Sequence, residues 1–266
     1  MPRMGAAGPR ATIVVSLRER WALTEAALDG IVANTPLPYR LVLLDAGAPA
    51  WLRDVLAQRA REWNLEVIRC DGATWPQEAR ARFVAERLPE TEFTVFIDND
   101  VDVTPGWLDA LLACADETGA GIVGPLYLWG DGIAAPRIHM AGGRLVERAV
   151  PGGRTYDESH QLFDTELARH EATLTRARCG FLEYHCMLVR TALLREPGIV
   201  DALVRLTGCG DVYERSDAAA RTREGLAPRE GPLRGAAPAA PVPIEELGVR
   251  YEVDVAGGHK TGFYLD

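Results

Sequence analysis

Four short apolar runs, each followed by a segment with helical spacing, constrain the fold of this chain most. They are residues 11–16 (ATIVVS), 41–44 (LVLL), 65–70 (LEVIRC) and 92–97 (EFTVFI). Short apolar runs bounded by turn residues read as buried strands. Between the first two, residues 21–33 place Leu23, Ala27, Leu28 and Ile31 on one helical face. Residues 49–63 and 76–88 read as two more helices, the first with Pro49 near its first turn, where its missing N–H is not needed. Strands alternating with helices predict an α/β fold with a mainly parallel sheet and flanking helices. The pattern continues with a helix over 105–117, a strand over 121–128, and a strand over 181–190 running into a short helix.

The fourth run ends in Phe96-Ile97-Asp98-Asn99-Asp100. Ligands of open α/β sheets bind just outside the carboxyl ends of the strands. An Asp-x-Asp pair there suits a hard divalent cation, and such a cation can grip a diphosphate. Transfer from a nucleotide sugar has clear needs. The leaving diphosphate needs a neutralising cation. The base or ribose needs an acceptor for its N–H or O–H groups. An Arg suits the phosphate oxygens, and the acceptor hydroxyl needs a general base.

Asp45 at the second strand end, Arg80 in the third helix, and Asp98 and Asp100 supply most of these parts. Each has a plainer role open to it. Asp45 could cap its own loop, Arg80 could be a solvated helix residue with Arg82 as competitor, and Gly142-Gly143 reads as a tight hairpin turn. Asp102 reads as a solvated carboxylate or helix-start residue. Glu183 and His185 share one face of an apolar strand, where they face an acceptor or bind each other as a core pair.

The net charge of -9 argues against a phosphate-tracking nucleic-acid surface, so no nucleic-acid partner is expected. No apolar run is long enough to cross a bilayer. Residues 1–10 lack an apolar leader region and read as disordered. The five cysteines form no C-x-x-C pair, which fits scattered buried thiols and a cytoplasmic protein.

The series IVVSLRERW, LVLLDAGAP, PQEARARF, FIDNDVDVTPGWLDALL, GIVGPLYL, HMAGGRLV and FLEYHCMLVRTALL resembles a family 2 glycosyltransferase of the GT-A fold, over about residues 11–198. The resemblance implies a donor such as a UDP-, GDP- or dTDP-sugar, a hydroxyl acceptor, Mg²⁺ or Mn²⁺, and inversion. By it, Ser16 lines the nucleotide pocket, Asp45 contacts the nucleobase and Arg80 lies near the diphosphate. Asp98 faces the ribose or the metal, and Asp100 is the direct metal ligand.

Members of that family usually continue into an acidic motif bearing the catalytic base. Here Glu214, Asp217, Arg221 and Gly225 have a tempting spacing, but Ala218 to Ala220 are small where apolar helix residues belong. The catalytic base therefore stays unassigned. Residues 199–266, through VYERSDAAARTREGL and GVRYEVDVAGGHKTGFYLD, instead resemble the β-rich connector of an rRNA cytosine-5 methyltransferase. The chain ends where that family's cofactor domain would begin, so methyl transfer is not expected. Residues 249–255 read as a strand, Gly257-Gly258 as a turn and residues 261–265 as the strand that pairs back, a small β-hairpin in a loosely packed tail.

The whole reads as a fusion of two incomplete pieces joined near residues 196–199, by gene rearrangement or an assembly error, or else as a glycosyltransferase with an unusual cap. The rival to a working transferase is a noncatalytic nucleotide-sugar-binding pseudo-enzyme or fusion fragment.

Overall fold

Two strands whose every residue is buried, β1 (Ala11–Ser16) and β4 (Phe93–Asp98), form the spine of the fold. They pair in parallel with Ser16 opposite Asp98, so both polar strand ends emerge side by side. β2 (Arg40–Asp45) and β3 (Leu65–Arg69) extend the parallel sheet outward. The crossovers are α1 (Thr24–Asn34), α2 (Ala50–Trp63) and α3 (Pro76–Arg87), as the apolar spacing predicted. The computed structural model describes residues 8–17, 20–36, 38–70, 76–129, 136–150, 153–196, 251–254 and 263–264.

Beyond β4 the sheet becomes mixed. β13 (Cys186–Arg190) lies antiparallel to β4 and to β6 (Ile122–Pro125), and β14 (Tyr251–Asp254) and β12 (Ala177–Cys179) complete eight strands. A second sheet of five short strands holds β5 (Val101–Asp102), β7 (Tyr127–Trp129), β8 (Arg137–Met140), β11 (Thr165–Glu166) and β15 (Phe263–Tyr264). β9 (Gly143–Val150) and β10 (Gly153–His160) form a hairpin.

α4 (Trp107–Thr118) starts after Gly106 at φ 81° and stops at Gly119 at φ 70°, left-handed positions that glycine fills without a Cβ clash. Its first residue, Trp107, is fully buried, and its Nε1 donates to Thr35 Oγ1 at 2.9 Å. That bond removes the desolvation cost of a buried indole N–H. The large apolar side chains of β1, β4 and α4 make one contiguous core.

Several sequence expectations change. Residues 121–128 are not one strand: β6 ends at Pro125 and β7 enters the other sheet. Proline offers no ladder N–H, and a run buried on both faces has no alternation to mark the switch. Residues 181–190 are not one strand either. Phe181 makes a lone bridge to Gly143, residues 184–185 turn, and the strand starts at Cys186.

The hairpin expected over 249–265 does not form between β14 and β15. β14 is seated between β6 and β12, and β15 between β7 and β5, where open strand edges supply unsatisfied backbone groups. Of the segment read as disordered at the start, residues 8–10 are described, and Arg10 bonds Glu92 and Asp116. Residues 1–7, Glu214, Asp217, Arg221, Gly225 and, apart from Glu196, the junction at 196–199 lie outside the described residues.

Candidate functional site

The register of β1 on β4 fixes the first layer of the site. Ser16 and Asp98 are both fully buried and adjacent at the strand ends. α3 carries Arg80 over them. Its Nε donates to Ser16 Oγ at 2.9 Å, and its Nη2 donates to Asp98 Oδ1. The guanidinium lies 4.5 Å from the Tyr184 ring centre. Arg80 is 4% exposed, so it is not the solvated helix residue that the sequence left open, whereas Arg82 is exposed.

The second Asp98 oxygen, Oδ2, sits 2.8 Å from His185 Nδ1. Both carboxylate oxygens are thus engaged by cationic or ionisable partners. The turn after β4 is pinned from three sides. The Asp98 N–H donates to the His185 carbonyl, the Asn99 N–H donates to the Ser16 carbonyl, and Asn99 Nδ2 donates to Thr24 Oγ1 at 2.8 Å. Asp100 comes out of this turn nearly buried, with Arg20 Nη1 3.5 Å from its Oδ2. A buried carboxylate at a strand tip suits an oxygen-seeking cation.

Asp45 is also buried. Its Oδ1 accepts the amide N–H groups of Gly47 (3.1 Å) and Ala48 (2.7 Å), the loop-capping role that the sequence allowed. Its Oδ2 makes no hydrogen bond among the described residues, which leaves that oxygen for a ligand donor. Asp102 is neither well solvated nor at a helix start. It lies on β5, half-buried, and burial raises its pKa. Gly142 takes φ 82°, and Gly143 bonds to Phe181 and Gly180, so this pair is a packed turn.

Glu183 and His185 do meet, though not through strand parity. Both lie in the loop before β13, which Tyr127 secures with its hydroxyl within 2.9 Å of the Glu183 carbonyl and 2.7 Å of the Cys186 carbonyl. His185 Nε2 is 3.2 Å from Glu183 Oε2. Burial alone would lower the His185 pKa, but Glu183 and Asp98 outweigh it and push it up to about 9. Burial likewise favours a neutral Glu183, yet His185 and His139 hold its carboxyl well below the usual carboxylate range.

Sequence reasoning missed the rest of this cluster. His139, from β8, lies 2.7 Å from Glu183 Oε2, and His160, at the end of β10, lies 3.5 Å from Oε1. Three of the five histidines of the chain therefore ring one carboxylate. The one available signal was their rarity, with His139 just ahead of the Gly142-Gly143 turn. Trp129, Phe163 and Phe181 pack around the rings.

No helix among the described residues is long and apolar enough to cross a membrane. In solved structures, the chain superposes on S. aureus TarS in complex with UDP-GlcNAc at TM-score 0.51 and 15% identity, covering 96% of this chain and 58% of that one. It superposes on GalNAc-T7 with UDP, GalNAc and Mn²⁺ at TM-score 0.57 and 13% identity, covering 96% and 43%. At these identities the likeness speaks for the fold.

Among curated proteins, an 82-residue stretch is 50% identical to ribosomal RNA large subunit methyltransferase I of Pseudoalteromonas translucida (strain TAC 125). A stretch of equal length is 51% identical to that of Vibrio campbellii (strain ATCC BAA-1116). Each match takes in 30% of this chain and 21% of the relative, so the chain spans about a fifth of the length of the curated relatives it matches. The model of glycosyl transferase family 2 matches residues 12–171, from the first strand through the histidine-bearing hairpin. That match takes in well over half of the chain, and with the mixed sheet and its strand-end carboxylates it leads to one conclusion: the chain belongs to glycosyl transferase family 2.

Proposed function

We propose that this chain binds a nucleoside diphosphate sugar at the carboxyl ends of β1, β2 and β4 and transfers its sugar to a hydroxyl acceptor. The observation that carries this reading is the layout of Ser16, Asp45, Arg80, Asp98 and Asp100 around one set of strand tips. Asp45, with Oδ2 available, takes the nucleobase donors. Ser16 and Arg80 hold Asp98 rigid beside the ribose and diphosphate, so the binding geometry exists before the donor arrives.

Asp100 is the carboxylate we assign to Mg²⁺ or Mn²⁺. Asp98 has one oxygen on Arg80 and the other on His185, so as a second ligand it would share an oxygen between that partner and the cation. Such a cation would neutralise the charge that develops on the leaving diphosphate. Glu183 and His185, next to Asp98, form the wall on the acceptor side. We assign the chain to the cytoplasm on the scatter of its cysteines along the sequence, which contains no C-x-x-C pair.

A second reading, donor binding without turnover, is favoured by the methyltransferase-like stretch, because the family's base-bearing segment normally follows the matched region. Calorimetry separates the readings from each other and from failure. UDP binds in the presence of Mn²⁺, and binding is lost in Asp100→Ala but kept in Glu214→Ala. UDP binding that ignores the metal refutes the ligand assignment. Sugar transfer that disappears in Asp217→Ala shows that the tail carries the base.

A further inference from the structure

The cluster of His139, His160, Glu183 and His185 comes from three separate parts of the chain: β8, the end of β10, and the loop before β13; His139 and His185 gather with Glu183 as one group of potential ligands, while His160 groups with Glu158 and Glu183. Its imidazole nitrogens all point at one carboxylate, at 2.7, 3.2 and 3.5 Å. Each of the four side chains is 11–16% exposed, so the group is shielded yet reachable from solvent. A core histidine usually needs one hydrogen-bond partner, and three converging on a single Glu exceed that need.

The spacing matches a different requirement. Zn–N bonds of about 2.0–2.1 Å in a tetrahedral site place neighbouring donor atoms about 3.4 Å apart. Glu183 Oε2 lies 2.7 and 3.2 Å from the His139 and His185 nitrogens, a little inside that value. The outer partners fit as well. His185 offers Nε2 to the cluster while its Nδ1 lies 2.8 Å from Asp98 Oδ2, the carboxylate–histidine arrangement that orients a metal-bound imidazole. Trp129, Phe163 and Phe181 supply an apolar surround.

We propose that His139, Glu183 and His185 form a three-ligand binding site for a borderline divalent transition cation of the Zn²⁺ class, with water in the fourth position. This site is distinct from the oxygen-rich site at Asp100 and does not rest on the sugar-transfer reading. Imidazole donors select Zn²⁺, Co²⁺ or Ni²⁺ over Mg²⁺, whereas carboxylates alone favour the harder ion. Binding converts the His–Glu hydrogen bonds into metal–ligand bonds. The Nε2 proton of His185 leaves to solvent while its Nδ1 contact with Asp98 is retained, and the proton on His139 Nε2 shifts to that ring's Nδ1, so that both Nε2 atoms present a lone pair to the cation.

The test uses the full chain, stripped of metal by a chelator and titrated with Co²⁺. The visible absorption band is followed, and bound metal is counted by mass spectrometry. The expected result is the intense band of low-coordinate Co²⁺, saturating at one equivalent and displaced by Zn²⁺. Glu183→Gln and His139→Gln weaken binding at least about 100-fold, and Asp98→Asn about 10–100-fold through His185. Asp100→Asn leaves the band and the affinity within about 2-fold, since that residue is not a ligand here.

Histidine side-chain NMR of the wild-type chain during Zn²⁺ addition reads the same event without any variant, as shifts confined to the cluster imidazoles. An absent intense band, or a band that survives His139→Gln and Glu183→Gln but vanishes in Asp100→Asn, overturns the proposal and moves the ion to the strand-end carboxylates.

Discussion

Replacing Arg80 by Met is the sharpest probe of how this site is built. The guanidinium is 4% exposed and Asp98 fully buried, so the pair sits where water cannot substitute for a lost partner. Removing one member of a buried pair leaves an uncompensated charge and costs about 3–5 kcal/mol. The bond to Ser16 Oγ is lost as well, a neutral-acceptor contact worth about 1 kcal/mol or somewhat more. His185 remains 2.8 Å from Asp98 and still offsets part of its charge, which holds the cost to the lower end, about 3 kcal/mol. For a domain of this size that is a fall in Tm of about 6–12 °C.

Urea unfolding followed by circular dichroism measures the change, with Ser16→Ala as the partial perturbation, expected at about 1 kcal/mol. The double variant Arg80→Met/Asp98→Asn should recover part of the loss, because the stranded charge is gone. A loss below about 1 kcal/mol in Arg80→Met, or equal losses in Arg80→Met and Ser16→Ala, refutes the picture of a buried ion pair holding the strand tips.

Three further outcomes follow from the packing. Gly124→Ala puts a Cβ 2.8 Å from Leu182 and 3.0 Å from the Tyr127 hydroxyl. It should cost about 1–3 kcal/mol and shift the NMR signals of the loop carrying Glu183, and an unchanged stability would show that the loop yields freely. Cys114 and Cys186 are buried while Cys70 and Cys179 are partly exposed, and burial pushes the Cys186 thiol up. Alkylation of the native chain, mapped by peptide mass, should mark Cys70 and Cys179 before Cys114 and Cys186; early labelling of Cys186 contradicts this packing.

Hydrogen bonds from Arg10 hold the Asp116 carboxyl below its usual range. Its stabilising effect is full above about pH 4, the unfolded value, and is lost as pH falls through the lower folded value. Carboxyl NMR titration of the wild type against Arg10→Met reads this directly, and identical Asp116 midpoints count against the pairing.

The first half of the fold was legible because local chemistry decided it. Residues 11–98 alternate apolar runs with amphipathic helices, and the structure follows that order with boundaries moved by up to three residues. Asp45, Asp98 and Asp100 were legible as strand-end carboxylates, since the position at which an apolar run stops is local information. Beyond residue 120 the text becomes ambiguous. The run over 122–128 is buried, so no alternation in it marks the change of sheet at Leu126, and Pro125 is the local sign of the break. Glu183 and His185 were read as strand partners, but they meet because Tyr127, distant in sequence, holds their loop.

The sequence by itself determined the parallel α/β framework, the acidic turn after the fourth strand, and the two family resemblances, because these depend on periodicity and contiguous residue order. Tertiary structure alone decided that Arg80 is an internal strut rather than a surface cation, that Asp98 has both oxygens engaged, and that three histidines from separate elements surround Glu183. Such long-range juxtapositions are fixed by strand register and sheet order, and neither is written in any local stretch of the chain.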